Sequence, residues 1–352
     1  MINLKIKPIK IKNKIIGKGK PCYIIAEIGS NFNGDINLAK KLIKKAKESG
    51  ADAAKFQSFE TEKILSKRGF EKKVSFQSKW KSSVWNVYKN AELPIEWIEK
   101  LEKYARKYKI QFLSAPYHIE AVDELVRNNA PAIKVGSGEI TNTEFLKYIA
   151  KKNLPIFLAA GASTLKDVNL AMKTIRTQKN NKIILMQATT QYPSPMKDTN
   201  LKVMQKFSKK FNVNVGYSDH TPGYTAVLGS IALGACVVEK HFTLDIKSAG
   251  PDHPHSLDPK QFKEMVKKIR EMEIALGSEE KNIEQSENHT KIIQRRGIWT
   301  TRCIKKGEKF SKENVDVLRP CIGLPASDFL KILNKKAKRN YEEFAALKKN
   351  DL

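Results

Sequence analysis

The chain has 352 residues, 41% hydrophobic and 29% charged, with 18 glycines and 14 prolines, which is enough apolar material for a real core and excludes collagen-like, low-complexity and disordered classes. Its formal charge of +28 comes mostly from lysines spread along the whole chain, without the clustered arginines and stacking aromatics of base readout, so a solvated surface that steers anions is expected and nucleic-acid binding is not. No apolar run approaches the ~18 residues of a membrane span, and the N-terminus alternates Ile with Lys instead of presenting a secretory signal, so no membrane association is expected and the cytoplasm is the expected location.

Residues 1–19 are expected to form a small hairpin that caps the domain after it. From 20 to 277, eight short apolar runs alternate with segments of helical periodicity, the pattern of parallel strands joined by crossover helices. The expected strands are 22–30, 52–58, 111–116, 132–137, 155–160, 183–189, 214–219 and 236–243. Helical spacing shows in Leu38, Leu42, Ile43 and Ala46, in Ile98, Leu101, Tyr104 and Ala105, and in Phe145, Ile149 and Ala150. Eight such units in a span close to the ~250 residues typical of the fold predict a (β/α)8 TIM barrel. A doubly wound open sheet is the alternative, but no GxGxxG opens a helix after the first strand, which counts against its dinucleotide-binding form.

The longest insertion, about 60–95, follows the second strand and carries Phe70, Phe76, Trp80, Trp85 and Tyr88; a loop there lies on a barrel's functional face. Residues 278–294 are polar and read as a linker, and 295–352 as a second unit, small enough to lean on a partner surface. Cys22, Cys236, Cys303 and Cys321 have no CxxC spacing and are expected to be reduced, mostly buried thiols.

Barrel chemistry sits at the C-terminal ends of strands, so polar residues that end apolar runs are the candidates. They are Glu27, then Lys55 and Gln57, then Lys134 and the Gly-Ser-Gly-Glu of 136–139, then Thr189 to Tyr192, then Ser218-Asp219-His220, and last Glu239-Lys240-His241. Lys55 and Lys134 should point into the mouth, where a buried cation needs an anion, either a phosphate or carboxylate ligand or barrel glutamates. His220 and His241 end adjacent strands and could hold a divalent ion with water and a carboxylate; without a third His or a Cys, manganese or magnesium fits better than structural zinc. His253 and His255, in a loop with two prolines, are expected to be exposed.

These motifs resemble the sialic acid synthase family, which condenses phosphoenolpyruvate with an N-acylated hexosamine to make N-acetylneuraminate, legionaminate or pseudaminate. The resemblance is carried by 26–35 (AEIGSNFNGD), 55–58 (KFQS), 133–139 (IKVGSGE), 191–195 (QYPSP), 216–221 (GYSDHT), 239–245 (EKHFTLD) and 250–253 (GPDH). Arg295-Arg296, 304–308 (IKKGE) and 318–324 (LRPCIGL) resemble the antifreeze-like SAF domain that follows the barrel in that family.

The resemblance implies that Lys55, Lys134, Ser137, Ser218 and Arg319 bind phosphoenolpyruvate. It makes Glu27 the acid/base and gives His220 and His241 a metal, manganese first and magnesium or cobalt next. Glu139, Tyr192 and Asp252 would contact the N-acyl amino sugar, and the SAF domain of one subunit would serve the barrel of the other in a swapped homodimer. Phe32, Ala115, Ala159 and Gln187 depart from the family's usual residues. Two alternatives stand beside this reading: a Schiff-base aldolase using Lys134 or Lys55, and a barrel that binds a phosphorylated or acidic sugar without turnover.

Overall fold

The computed structural model describes residues 6–351. Two compact units emerge, divided between Gly277 and Ser278.

The first opens with an antiparallel hairpin of β1 (Ile9–Ile11) and β2 (Lys14–Ile16), in which Ile9 faces Ile16 and Lys12 takes a left-handed φ of 51° in the turn. Of the expected hairpin segment, residues 1–5 lie outside the described residues. Ile9, Ile11 and Ile16 are buried against Tyr23, Leu113, Phe157, Ile184 and Val237, so the hairpin closes the N-terminal end of the barrel with apolar side chains.

The barrel strands are β3 (Tyr23–Gly29), β4 (Ala53–Ser58), β5 (Gln111–Pro116), β6 (Ile133–Val135), β7 (Ile156–Ala159), β8 (Ile183–Ala188), β9 (Asn214–Asp219) and β10 (Val237–His241). They form one parallel sheet in the order β5-β4-β3-β10-β9-β8-β7-β6, and its two end strands lie side by side, giving the nearly closed eight-stranded barrel that the alternation predicts. Both faces of the strands are covered, which is why they read as continuous apolar runs.

Side chains alternate across each strand. Tyr23, Ile25, Ala53, Leu113, Ala132, Phe157, Ile184, Met186 and Val237 share one apolar cluster inside the barrel. Two residues further along their strands the same face carries Glu27, Lys55, Lys134 and Glu239, joined by Ser218 of β9, all buried. The barrel therefore has an apolar floor and a charged layer above it.

The opposite faces pack on the helices. Leu42, Ile43 and Ala46 of helix Ile36–Glu48, Ile98, Leu101 and Ala105 of helix Trp97–Lys107, and Phe145, Ile149 and Ala150 of helix Thr143–Lys151 are buried as their spacing predicts. The insertion after β4 folds into short helices, Thr61–Ile64 and Val84–Lys89, with single turns at Arg68–Phe70 and Ser75–Lys79.

In the second unit β11 (Gly297–Thr300) pairs antiparallel with β12 (Val315–Leu318), around a core of Ile298, Ile304, Phe310, Val315, Leu324, Ile332, Ala337, Tyr341 and Leu347. The segment read as a linker carries a short helix, Asn288–Gln294, and the amide of Cys321 donates to Ile292 O at 3.0 Å. That tie gives the end of the segment a partner its polar composition does not announce. Cys22 and Cys236 are buried, Cys321 is half-buried and Cys303 is exposed, so burial holds for two of the four thiols, all of them free. Among the described residues no helix is long and apolar enough to cross a membrane.

One ion pair knits β9 to β10 on the helix-facing side: Lys240 Nζ lies 2.7 Å from Asp219 Oδ2, with both side chains fully buried. Tyr217 Oη and the Thr221 amide donate to Asp219 Oδ1 at 3.1 and 2.9 Å, and Lys240 also donates to Thr221 O. Lys240→Met leaves a buried carboxylate without its cation, so urea unfolding should show a stability loss of about 3–5 kcal/mol.

Candidate active site at the barrel mouth

The charged layer is a connected network. Lys55 Nζ lies 2.7 Å from Glu27 Oε2 and 3.7 Å from Glu239 Oε1, and Lys134 Nζ lies 2.8 Å from Glu239 Oε1. Gln57 Nε2 donates to Glu27 Oε1 at 2.8 Å and Ser218 Oγ to Glu239 Oε1 at 3.1 Å. Of the two sources of anion expected for the buried lysines, the structure realises barrel glutamates, so burial alone no longer calls for a bound ligand.

The four groups are not equivalent. Burial pushes the Glu27 carboxyl up to about 7, with Lys55 opposing and Glu239 adding to the rise. Glu239 is equally desolvated, but the ammonium groups of Lys134 and Lys55 hold it down at about 2. Burial pulls both lysines down; Lys55, between two carboxylates, still stays above its ordinary value, while Lys134 falls below. Glu27 is thus the member of the network whose proton can come and go near neutral pH.

Above this layer stand three imidazoles. The His220 and His241 ring centroids are 5.5 Å apart, and His255 lies 4.6 Å from His241. Tyr192 packs on the group, 4.4 Å from His220 and 5.2 Å from His255. His220 Nδ1 is 2.7 Å from Thr189 O, which fixes the proton on that nitrogen and leaves Nε2 as the lone-pair donor. Burial, and the facing imidazoles, keep His220 at about 4 and His241 well below its ordinary value. Neutral rings are the metal-ligating form.

Among the described residues, His241, Asp252 and His255 present ligand atoms that all lie within 4.8 Å of one another, and His241 Nδ1 and His255 Nε2 are buried without a hydrogen-bond partner. The donor set therefore fits a divalent ion.

The expectation that His253 and His255 are exposed is overturned: they are only 2% and 7% exposed. After the single turn His253–His255 the chain runs back along β10, with the Leu257 amide donating to His241 O at 2.9 Å and the Thr243 amide to Leu257 O at 3.0 Å. This backbone strap turns the loop inward despite its prolines.

Of the remaining candidates, Ser137 Oγ accepts from the Gly161 amide at 3.0 Å across the ends of β6 and β7. A Cβ at Gly161 would meet that Oγ at 2.8 Å. Glu139 is half-buried, and burial raises its carboxyl. Asp252 Oδ2 accepts from Ser30 N at 3.1 Å and Ser30 Oγ at 2.8 Å. Arg319 is exposed on the second unit, one residue past β12.

The insertion reaches the mouth, where Phe76 packs 5.2 Å from Tyr192 and Ser75 Oγ donates to Gln191 at 3.0 Å. Phe32 is core, against Phe56 and Trp97, and Gln187 is buried and donates to Thr199 O at 3.1 Å. Ala115 and Ala159 are buried and offer no side-chain donor. Sequence reasoning gave no role to Glu239, Gln57 or His255. Glu239 and Gln57 stood among the polar strand ends, whereas nothing in the order of residues marks His255 as buried.

Comparison with known proteins fits this architecture. Residues 42–281 match the NeuB family and 295–352 match the SAF domain. An N,N'-diacetyllegionaminic acid synthase of Campylobacter jejuni is 41% identical over 92% of this chain and 98% of its own, and a pseudaminic acid synthase of the same species is 34% identical over 94% and 97%. Among solved structures, the spore coat polysaccharide biosynthesis protein SpsE of Bacillus subtilis is 34% identical and superposes with a TM-score of 0.67 over 98% of both chains. The chain belongs to the NeuB family, with a SAF domain after its barrel.

Proposed function

We propose that this protein condenses phosphoenolpyruvate with the open-chain form of an N-acyl hexosamine to give a nonulosonic acid and inorganic phosphate. The observation that carries this reading is the buried network of Glu27, Lys55, Lys134, Ser218 and Glu239 directly beneath the imidazoles of a NeuB-family barrel. Of the acceptors, a 2,4-diacetamido hexose of the legionaminic type is favoured over its pseudaminic counterpart, because the relative named for legionaminic acid is 41% identical and the one named for pseudaminic acid 34%.

In this reading C3 of phosphoenolpyruvate bonds to the aldehyde carbon, whose oxygen takes a proton. Water bonds to C2, and the C2–O bond breaks to release phosphate with its bridging oxygen. With Glu27 protonated, Lys55 and Lys134 face a single carboxylate, Glu239, and the layer carries a positive charge that the anionic substrate neutralises. Ser137, Ser218 and Arg319 would join the two lysines on phosphoenolpyruvate. Glu27 would give its proton to the aldehyde oxygen as the C–C bond forms and, then ionised, take one from the attacking water; its rise to about 7 suits that task.

Glu139, Tyr192 and Asp252 would face the sugar. A divalent ion, manganese first with magnesium or cobalt as alternatives, would be held by His220 and His241 and supplies a Lewis acid for the aldehyde oxygen. We place the reaction in the cytoplasm and Arg319 at the site through a swapped homodimer, one subunit's SAF domain serving its partner's barrel. The aldolase reading is disfavoured by the 2.8 Å contact that commits the Lys134 ammonium to Glu239.

Phosphate release from phosphoenolpyruvate with manganese should depend on the acceptor, be fastest with the legionaminic-type diacetamido hexose, and stop with EDTA. No release with any acceptor while metal is bound would leave a binding barrel, and borohydride trapping of a lysine adduct would favour the aldolase. Glu27→Gln should lower kcat by about 10²–10⁴-fold with little change in the melting curve, as for loss of a general acid/base. Arg319→Ala and Lys134→Met, each inactive alone, should regain activity when mixed and allowed to exchange subunits, because one site of the mixed dimer is then intact.

A further inference from the structure

We propose that His255 and Asp252 are ligands of the divalent ion alongside His241, so that the 250–256 loop grips the ion together with the strand ends. This rests on the reading that the mouth holds such an ion, and it gives Asp252 a role distinct from contact with the sugar.

Four observations carry it. First, the ligand atoms of His241, Asp252 and His255 lie within 4.8 Å of one another. Donors each about 2.1 Å from a common ion stand roughly 3–4 Å apart, so small side-chain rotations bring the three onto one centre.

Second, the two histidines of the loop are treated differently. His253 uses both nitrogens, with Thr243 Oγ1 at 2.6 Å and Asn33 Oδ1 at 3.2 Å, and is a structural residue. His255 Nε2 is buried with no hydrogen-bond partner, as is His241 Nδ1. Two buried unpaired nitrogens side by side go against the rule that buried polar atoms are satisfied, and an ion between them satisfies both.

Third, Asp252 is oriented and only half used. Ser30 holds Oδ2 through its amide and hydroxyl, while Oδ1 stands 3.8 Å from His255 Nε2, too far for a hydrogen bond. A carboxylate fixed through one oxygen with the other directed at a neutral imidazole is the arrangement of a ligand steadied by outer hydrogen bonds.

Fourth, the backbone makes room for that carboxylate. β3 shifts register between Glu27 and Gly29, and Gly29 takes a φ of 53°. A Cβ at Gly29 would come within 2.7 Å of Asp252 Oδ2, so glycine there lets the carboxylate approach the strand end. The loop itself is pinned by Ser256, whose Oγ donates to Asp252 O at 2.6 Å and accepts from Asn31 Nδ2 at 2.9 Å.

The test uses the full-length chain stripped of metal. Mn²⁺ is titrated calorimetrically, and Co²⁺ is added to read its visible absorption, for the wild type, His255→Gln, Asp252→Asn and His241→Gln. Asp252→Asn keeps the volume and an acceptor for Ser30, so it reports on ligation even where His255→Gln disturbs packing; a thermal melt of each variant checks the fold. The wild type should bind Mn²⁺ at a single site, and both loop variants should weaken it about 10-fold or more and alter the Co²⁺ band. Unchanged affinity and an unchanged Co²⁺ band in the two loop variants, with binding lost in His241→Gln, would overturn the proposal and leave the ion to the strand ends. A wild type that binds no ion would overturn it too, whereas the condensation reaction stands or falls separately on phosphate release.

Discussion

Charge neutrality inside a dry barrel is the constraint on which the rest of this molecule depends. Period-two alternation sends Glu27, Lys55, Lys134 and Glu239 into one layer, and a low-dielectric interior accepts such charges only as a balanced set. Each lysine finds a glutamate at 2.7–2.8 Å. Because Glu239 is shared between both lysines, the balance is unequal, and the strain falls on Glu27. Burial is the main cause of its elevated carboxyl, Lys55 opposes the rise and the shared Glu239 adds to it, so the packing of the barrel sets the charge state at its mouth.

The network also couples the layers above it. Glu239 and His241 lie on the same face of β10, two residues apart, and His241 pairs in register with Glu27 on β3. Beyond Glu27 the strand kinks at Gly29, which admits the 250–256 loop to the rim. Parts of the charged layer, the imidazoles and the loop thus meet at the adjacent ends of β3 and β10. A substitution in one of them is felt in the others through a short, stiff stretch of backbone.

The architecture was legible in the sequence because its signals are local. Eight apolar runs, six of them ending in polar residues, fall within a residue or two of the observed strands, and the buried faces of the helices follow from their spacing. What was not legible depends on pairings across the fold. Lys55 and Lys134 could be placed in the mouth, but whether an external anion or Glu239 faces them is decided by the stagger of β4, β6 and β10. His255 was misread because prolines suggest an exposed loop, whereas the Leu257 and Thr243 backbone bonds fold that loop inward. The short helix at Asn288–Gln294 has no local signal either, since its composition is polar and its tie to Cys321 is distant in sequence.

Two buried ion pairs that share β10 show how position on a strand changes what a pair can do. Lys240 and Asp219 face the helices, and both carboxylate oxygens are used: Oδ2 by Lys240, Oδ1 by Tyr217 and the Thr221 amide, while Lys240 also donates to Thr221 O. The pair ties β9 to β10 within the barrel wall. Lys134 and Glu239, one position away and facing inward, are left incomplete, because Glu239 Oε2 is buried without a hydrogen-bond partner and Lys134 is held below its ordinary value by burial. Lys134 has a single side-chain acceptor, Glu239, so it keeps donors for an incoming anion without giving that partner up. The direction in which a strand residue points therefore decides whether a buried lysine and carboxylate are tied into the barrel wall or left open toward its mouth.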